Sequence, residues 1–196
     1  DEERPERARP TVMPYADVRQ LSLAPRRFQT VFGGLFLFVP GLVRLNLDGL
    51  ADAANLPGSK MIPASHALRS MLSLKLWSVE RRSQVMPHVA DEGLALLAGL
   101  NCSPKRSFLS EYSSRVGHRQ IIELLAAYHE RGDSRHLFDG GSFNLDFHSI
   151  PYYGEHPLLE KSWVAMRSRR QKSVLALMAQ DLAGSACCYS NADIRK

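Results

Sequence analysis

An α+β chain, with helices in its first part and strands in its second, is what this 196-residue sequence predicts. From Phe28 to Arg131 apolar residues recur at three- and four-residue spacing, without the alternation of a strand. After Gly132 the pattern changes, and Asp139-Gly140-Gly141 is a strong turn signal at the changeover. Beyond it, short segments alternate apolar and polar residues. A hydrophobic content of 44% is enough to bury a substantial core, in one large domain or two small ones.

Residues 1–27 hold several Pro and Arg and few large apolar residues, so an extended arm is expected there. The helical region follows over 28–132, cut into segments by Pro40, Pro57, Pro63, Pro87 and Pro104. One helix is expected from Ser65, as N-cap, through Leu68, Met71, Leu72, Leu74, Leu76 and Trp77. A second should cover His88 to Leu100. A third should run from Pro104, placed in the first turn, to Val116. The fourth spans His118 to Glu130, with Ile121, Leu124, Leu125 and Tyr128 on one side. In the last part, 139–196, strands are expected at Ser142 to Ile150, Ser173 to Gln180 and Ser185 to Ile194. The final two should form an antiparallel hairpin through Asp181-Leu182-Ala183-Gly184.

Lys and Arg outnumber Asp and Glu by 25 to 20, giving a formal charge of +5 that permits a polyanionic partner without demanding one. Cys102, Cys187 and Cys188 show no metal-ligand or disulfide spacing, which favours a reducing, cytosolic setting. The longest apolar run, Val31 to Val43, is interrupted by Gly33, Gly34, Pro40 and Gly41 and is too short to span a bilayer. No membrane association is expected.

The stretch that carries most chemical information is Phe143-Asn144-Leu145-Asp146-Phe147-His148-Ser149-Ile150-Pro151-Tyr152-Tyr153-Gly154-Glu155. It sets one acidic residue inside an apolar, alternating strand. A buried unpaired carboxylate costs several kcal/mol, so Asp146 is expected to meet a cation, and a metal ion is the obvious one. His148 lies on the same face by the two-residue strand period.

This strand and the His148, Pro151, Tyr152, Gly154 turn after it resemble the first catalytic strand of insertion-sequence DDE transposases. The likeness extends through Phe32-Gly33-Gly34-Leu35-Phe36-Leu37-Phe38-Val39-Pro40, Leu56 to Pro63, Pro104 to Ser113 and Tyr189 to Ile194. It implies a helical DNA-binding region followed by the opening strands of a ribonuclease-H-like mixed sheet, truncated at Lys196. It also implies the family's reaction: hydrolysis at transposon ends, then strand transfer by the freed 3′ hydroxyl. Asp146 would be the first of three catalytic acids and a ligand of Mg²⁺, or Mn²⁺. The implied partners are double-stranded DNA, at the terminal repeats and the target, and further copies of the chain. The implied location is the bacterial cytoplasm, at the nucleoid. A transposase-derived, non-catalytic DNA-binding protein or repressor is the alternative, and an inert remnant a third.

Two groups of cations are candidates for DNA contact. Lys161, Arg167, Arg169, Arg170 and Lys172 occur with no acid between the first and last, on what reads as a loop, and suit phosphate neutralisation. The second is a helix-turn-helix outline, Ala90 to Leu100, Asn101 to Ser103 and Pro104 to Val116. There Lys105 and Arg106 join Ser110, Ser113 and Ser114 opposite an apolar stripe of Phe108, Leu109, Tyr112 and Val116. Among the remaining acids, Asp181 reads as a turn residue, Asp193 as a cap for a following helix, and Glu155 as a solvated loop residue. Tyr153 and Trp163 read as packing aromatics.

Overall fold

The computed structural model describes residues 16–25, 27–131, 141–157, 159–183 and 186–194. Among them six α-helices precede four β-strands, so the chain is α+β in the expected order. It divides into two compact units, residues 1–121 and 122–196, with the boundary inside α6 (His118–Glu130).

The first unit holds α1 (Val39–Leu45), α2 (Leu47–Ala53), α3 (Ala64–Leu76), α4 (Glu92–Ala98) and α5 (Arg106–Arg115). Its core gathers Phe32, Leu35, Leu74, Val85, Leu94, Leu97, Cys102 and Leu109. A second cluster joins α3, α4 and α5 through Ala67, Ala98, Leu100 and Tyr112. Phe32 is wholly buried, and its ring lies 4.8 Å from that of Trp77 and 5.1 Å from that of His88. The Val31 to Val43 run becomes a 3-10 turn over Gly33–Phe38 leading into α1. Among the described residues no single helix is long and apolar enough to cross a membrane, although the bent pair Gly33–Leu45 and Leu47–Ala53 passes on length and composition.

Helix ends differ from expectation where side-chain chemistry competes with position. The chain enters α3 at Pro63, so Ser65 sits within the first turn and caps nothing at that end. Residue His88 closes a short 3-10 turn, and α4 starts later because Asp91 is its N-cap, accepting from the Leu94 N–H at 2.9 Å. Pro104 precedes α5, whose N-cap is Lys105. At the far end of α4, Gly99 takes φ +74, the left-handed conformation that glycine adopts without penalty. A Cβ there would fall 2.5 Å from the His66 ring, which donates from Nδ1 to the Ala98 carbonyl at 2.8 Å.

Asp91 does more than cap. Its Oδ1 accepts from the Thr30 hydroxyl at 2.6 Å and its Oδ2 from the Val31 N–H at 3.3 Å, fastening the segment that carries Phe32. Replacing it with Ala should destabilise the unit by about 2 kcal/mol, the sum of a lost cap and a severed tie. Urea unfolding followed by circular dichroism measures this; a loss under about 0.5 kcal/mol would mean the carboxylate is dispensable.

Part of the expected arm is anchored. Ala16 and Val18 pack against the helical core, and the Asp17 N–H donates to Asn101 Oδ1 at 3.1 Å. The Arg19 guanidinium lies 2.6 Å from the Asp17 carboxylate and holds that carboxyl below its usual range. The preceding residues, 1–15, lie outside the described ones.

In the second unit the central strand is β3 (Arg169–Asp181), antiparallel to each of β1 (Phe143–Pro151), β2 (Lys161–Val164) and β4 (Cys187–Ile194). All described pairings are antiparallel. The β3–β4 hairpin is as expected, although Gly184 and Ser185 of its turn, like Asp139 and Gly140 of the earlier turn, lie outside the described residues. Four corrections follow. Strand β3 begins at Arg169 rather than Ser173, and β2 was not foreseen. Asp181 ends β3 and is wholly buried, so it is no solvated turn residue. Asp193 lies within β4 rather than at the start of a helix. On the helical side of this unit, His129 of α6 donates from Nε2 to the Cys188 carbonyl at 2.7 Å.

Candidate functional site

Strand register decides which functional side chains share a face. Residues directly opposite in an antiparallel pair point to the same side, and the side alternates every residue. Asp146 is paired with Met178, and His148 with Ala176. Following β3 in steps of two brings Val174, Lys172 and Arg170 to that same face. Strand β2 adds Lys161, opposite Lys172, and Trp163, opposite Arg170. One side of the sheet therefore carries Asp146 and His148 toward one end, and Lys161, Trp163, Arg170 and Lys172 toward the other.

The basic run is not the loop expected from sequence. It lies on a hairpin whose turn is a 3-10 segment, Ala165–Arg167, closed by Ser168 at φ 48. Trp163 and Val164 pair across the hairpin with Arg170 and Arg169, and their own preference for extended backbone outweighs the local abundance of charge. The five cations are thereby sorted. Lys161, Arg170 and Lys172 share the Asp146 face; Arg169 points to the opposite one, where its Nε donates to Gln171 Oε1 at 3.1 Å; Arg167 sits in the turn. Lys161 and Lys172 are like charges directly opposite each other, an arrangement that destabilises a sheet unless an anion compensates.

Asp146 is exposed, as are all residues of β1 up to His148, and among the described residues β1 pairs with β3 alone. The expectation of a buried carboxylate is thus overturned, and with it the desolvation argument for a cation. His148 is exposed as well. The register puts Asp181, opposite Phe143, on the face away from Asp146, so the two acids do not converge. Glu155 is an exposed residue of the segment after β1, as expected. In that segment a Cβ on Gly154 would fall 2.7 Å from the Tyr152 hydroxyl, so the tyrosine side chain lies over the glycine of the Pro151-Tyr152-Tyr153-Gly154 turn. Among the described residues no three His, Cys, Asp or Glu side chains gather in a group fit for a metal ion. These residues alone therefore do not fit a two-ion centre.

In the helical unit Lys105 and Arg106 are exposed at the start of α5, whose first turn carries no acid. Two cations at the positive end of a helix oppose its dipole, which an anion placed there would relieve. The stripe Phe108, Leu109, Tyr112 and Val116 faces inward as expected, with Ser110, Ser113 and Ser114 outward. Two of the outer hydroxyls are engaged: Ser113 donates to the Ser110 carbonyl and accepts from Arg82, and Ser114 donates to the Glu111 carbonyl. The connection from Gly99 to Lys105 is longer than the tight turn of a helix-turn-helix, and Cys102, Ser103 and Pro104 are buried in it.

The side-chain platform on β2 is what sequence reasoning missed. Trp163, read as a packing aromatic, is 60% exposed. An alternation Lys161, Trp163 and Arg170, Lys172 at a spacing of two was the available signal. Compared with family models, curated proteins and solved structures, the chain matches none.

Proposed function

We propose that the chain supplies the DNA-binding part and first catalytic strand of a DDE-type transposase, a ribonuclease-H-like enzyme of insertion sequences. The observation that carries this reading is the Phe143 to Glu155 stretch, in which Asp146 and His148 share one face of a strand that a compact turn follows. The resemblance implies a strand carrying an Asp followed by an antiparallel hairpin, and β1 followed by the β3–β4 hairpin agrees with it, with β2 inserted between them. Double-stranded DNA is the partner. Lys105 and Arg106 on the helical unit, and Lys161, Arg170 and Lys172 on the sheet with Arg167 at the hairpin turn, neutralise phosphates. Asp146 is the first catalytic acid, and Mg²⁺ or Mn²⁺ the ion such chemistry employs, with ligands additional to Asp146. Homo-oligomeric assembly and a cytoplasmic, nucleoid-associated location belong to the same proposal. A transposase-derived repressor is the second reading, favoured by the exposure of Asp146 without a metal-binding group among the described residues.

The geometry constrains how the parts cooperate. Met178, opposite Asp146, and Lys172 are six positions apart on β3, a separation of about 20 Å. Lys172 therefore contacts phosphates several nucleotides from the one that Asp146 serves, and its task is to position the strand.

Binding to a duplex should weaken with salt, with a slope of about −0.9 per phosphate neutralised. Changing Lys161, Arg170 and Lys172 together to Ala should reduce the magnitude of that slope by about 2.7, whereas Arg169→Ala, on the opposite face, should leave it nearly unchanged. Fluorescence anisotropy across a salt series reads both. Salt-independent binding, or none at low salt, would remove DNA from the partners of this chain.

A further inference from the structure

The hairpin of β2 and β3 presents an aromatic ring in the middle of a basic strand face. Trp163 is 60% exposed, with Arg170 directly opposite and Lys161 and Lys172 forming the adjacent cross-strand pair. Lys161 and Arg170 are exposed as well, and Lys172 partly so. On the other face of the same strand Val164 is fully buried, so packing fixes which way Trp163 points. A large indole left in water gives up the free energy its burial would release.

Phosphate neutralisation accounts for the three cations but not for the ring. A duplex offers side chains its phosphates and groove edges, while the flat faces of its bases are stacked on one another. Unstacked bases expose those faces, and aromatic platforms flanked by Lys and Arg are the general means of holding them. Residues two apart on a strand are separated by about 6.6 Å, so Lys161 stands one step from Trp163 and reaches a phosphate beside a base stacked on it. The cross-strand Lys172 and Arg170 widen the same track.

From this geometry we infer that Lys161, Trp163, Arg170 and Lys172 form a binding site for single-stranded nucleic acid, with one base stacked on Trp163 and its flanking phosphates on the three cations. This rests on the proposed DNA-binding function and deepens it: the cations that neutralise duplex phosphates also serve an unpaired strand, one base of which stacks on Trp163. On α5, by contrast, Lys105 and Arg106 are assigned to phosphates with no aromatic ring between them.

The test compares a 16-nucleotide oligo-dT with a 16-base-pair duplex, each titrated against the 196-residue chain, Trp163→Ala, Trp163→Phe and the Lys161→Ala/Lys172→Ala double variant. Circular dichroism of each variant verifies the fold, which an exposed side chain should not disturb. Trp163→Ala should weaken oligo-dT binding by about 5- to 100-fold with the salt slope retained, and change duplex binding less than twofold. Trp163→Phe should restore most of the loss, because stacking needs a ring and not specifically an indole. The double variant should flatten the oligo-dT salt slope by about 1.4. If Trp163→Ala leaves oligo-dT binding unchanged, or weakens both ligands equally, the single-strand site is wrong and the duplex-binding function stands. If the unmodified chain binds neither ligand at low salt, both are wrong.

Discussion

Asp146→Asn is expected to lower cleavage of transposon-end DNA by about 10³-fold or more while changing DNA affinity less than twofold. The amide keeps the size and most of the hydrogen-bonding shape of the carboxylate but loses its charge, and removing a group that acts in the transition state lowers rate without lowering binding. Because Asp146 is exposed, the substitution neither relieves buried charge nor opens a cavity, so its effect on stability should be within about 0.5 kcal/mol. That combination separates the two proposed roles. In a plasmid assay of the proposed transposase activity, cleavage at an unchanged rate in the Asn variant would take the catalytic role from Asp146 and favour the repressor. Loss of cleavage together with loss of folding, seen by circular dichroism, would instead make the residue structural.

The second large effect is expected at Phe32. This side chain is completely buried, touches the rings of Trp77 and His88, and sits among residues from α3, α4 and α5. Truncation to Ala removes the ring's transfer free energy and leaves a cavity, so the expected loss is about 4 kcal/mol. A small unit has about 5–15 kcal/mol in total, and such a loss should shift its urea midpoint far down or unfold it outright. Phe32→Leu, which refills most of the volume, should cost less than half as much. If Phe32→Ala changed stability by under about 1 kcal/mol, the core of the first unit would have to lie elsewhere. The prediction bears on function because the same segment is fastened to the N-cap of α4 through Thr30 and Asp91.

Much of the architecture was legible without coordinates. Helix α6 falls at its expected bounds because nothing within His118 to Glu130 breaks the helical period. The inward stripe of α5 follows from the same arithmetic. Errors at α3, α4 and α5 are errors of one to four residues at the start, where the winner among Ser65, Asp91 and Lys105 depends on which backbone N–H groups the surrounding chain already occupies. The β3–β4 hairpin was visible in its turn residues and alternation. The β2 strand was not, since four residues beside a cluster of cations carry too short a pattern.

For the candidate site the division is sharper. Local sequence determined which residues carry the chemistry: an acid and a histidine two apart in a strand, a run of cations, and a ring among them, all of which are properties of one short segment. Only tertiary structure decided how they are grouped, because facing depends on pairing register between residues far apart in the chain. Asp146 opposite Met178 and Lys161 opposite Lys172 put acid and cations on one face, while Phe143 opposite Asp181 sends the second acid to the other. Burial was decided there as well. A carboxylate in an apolar strand looks buried, yet Asp146 is exposed, whereas Asp181, which read as a turn residue, is wholly buried; burial depends on what packs over each face of the sheet, which local sequence does not specify.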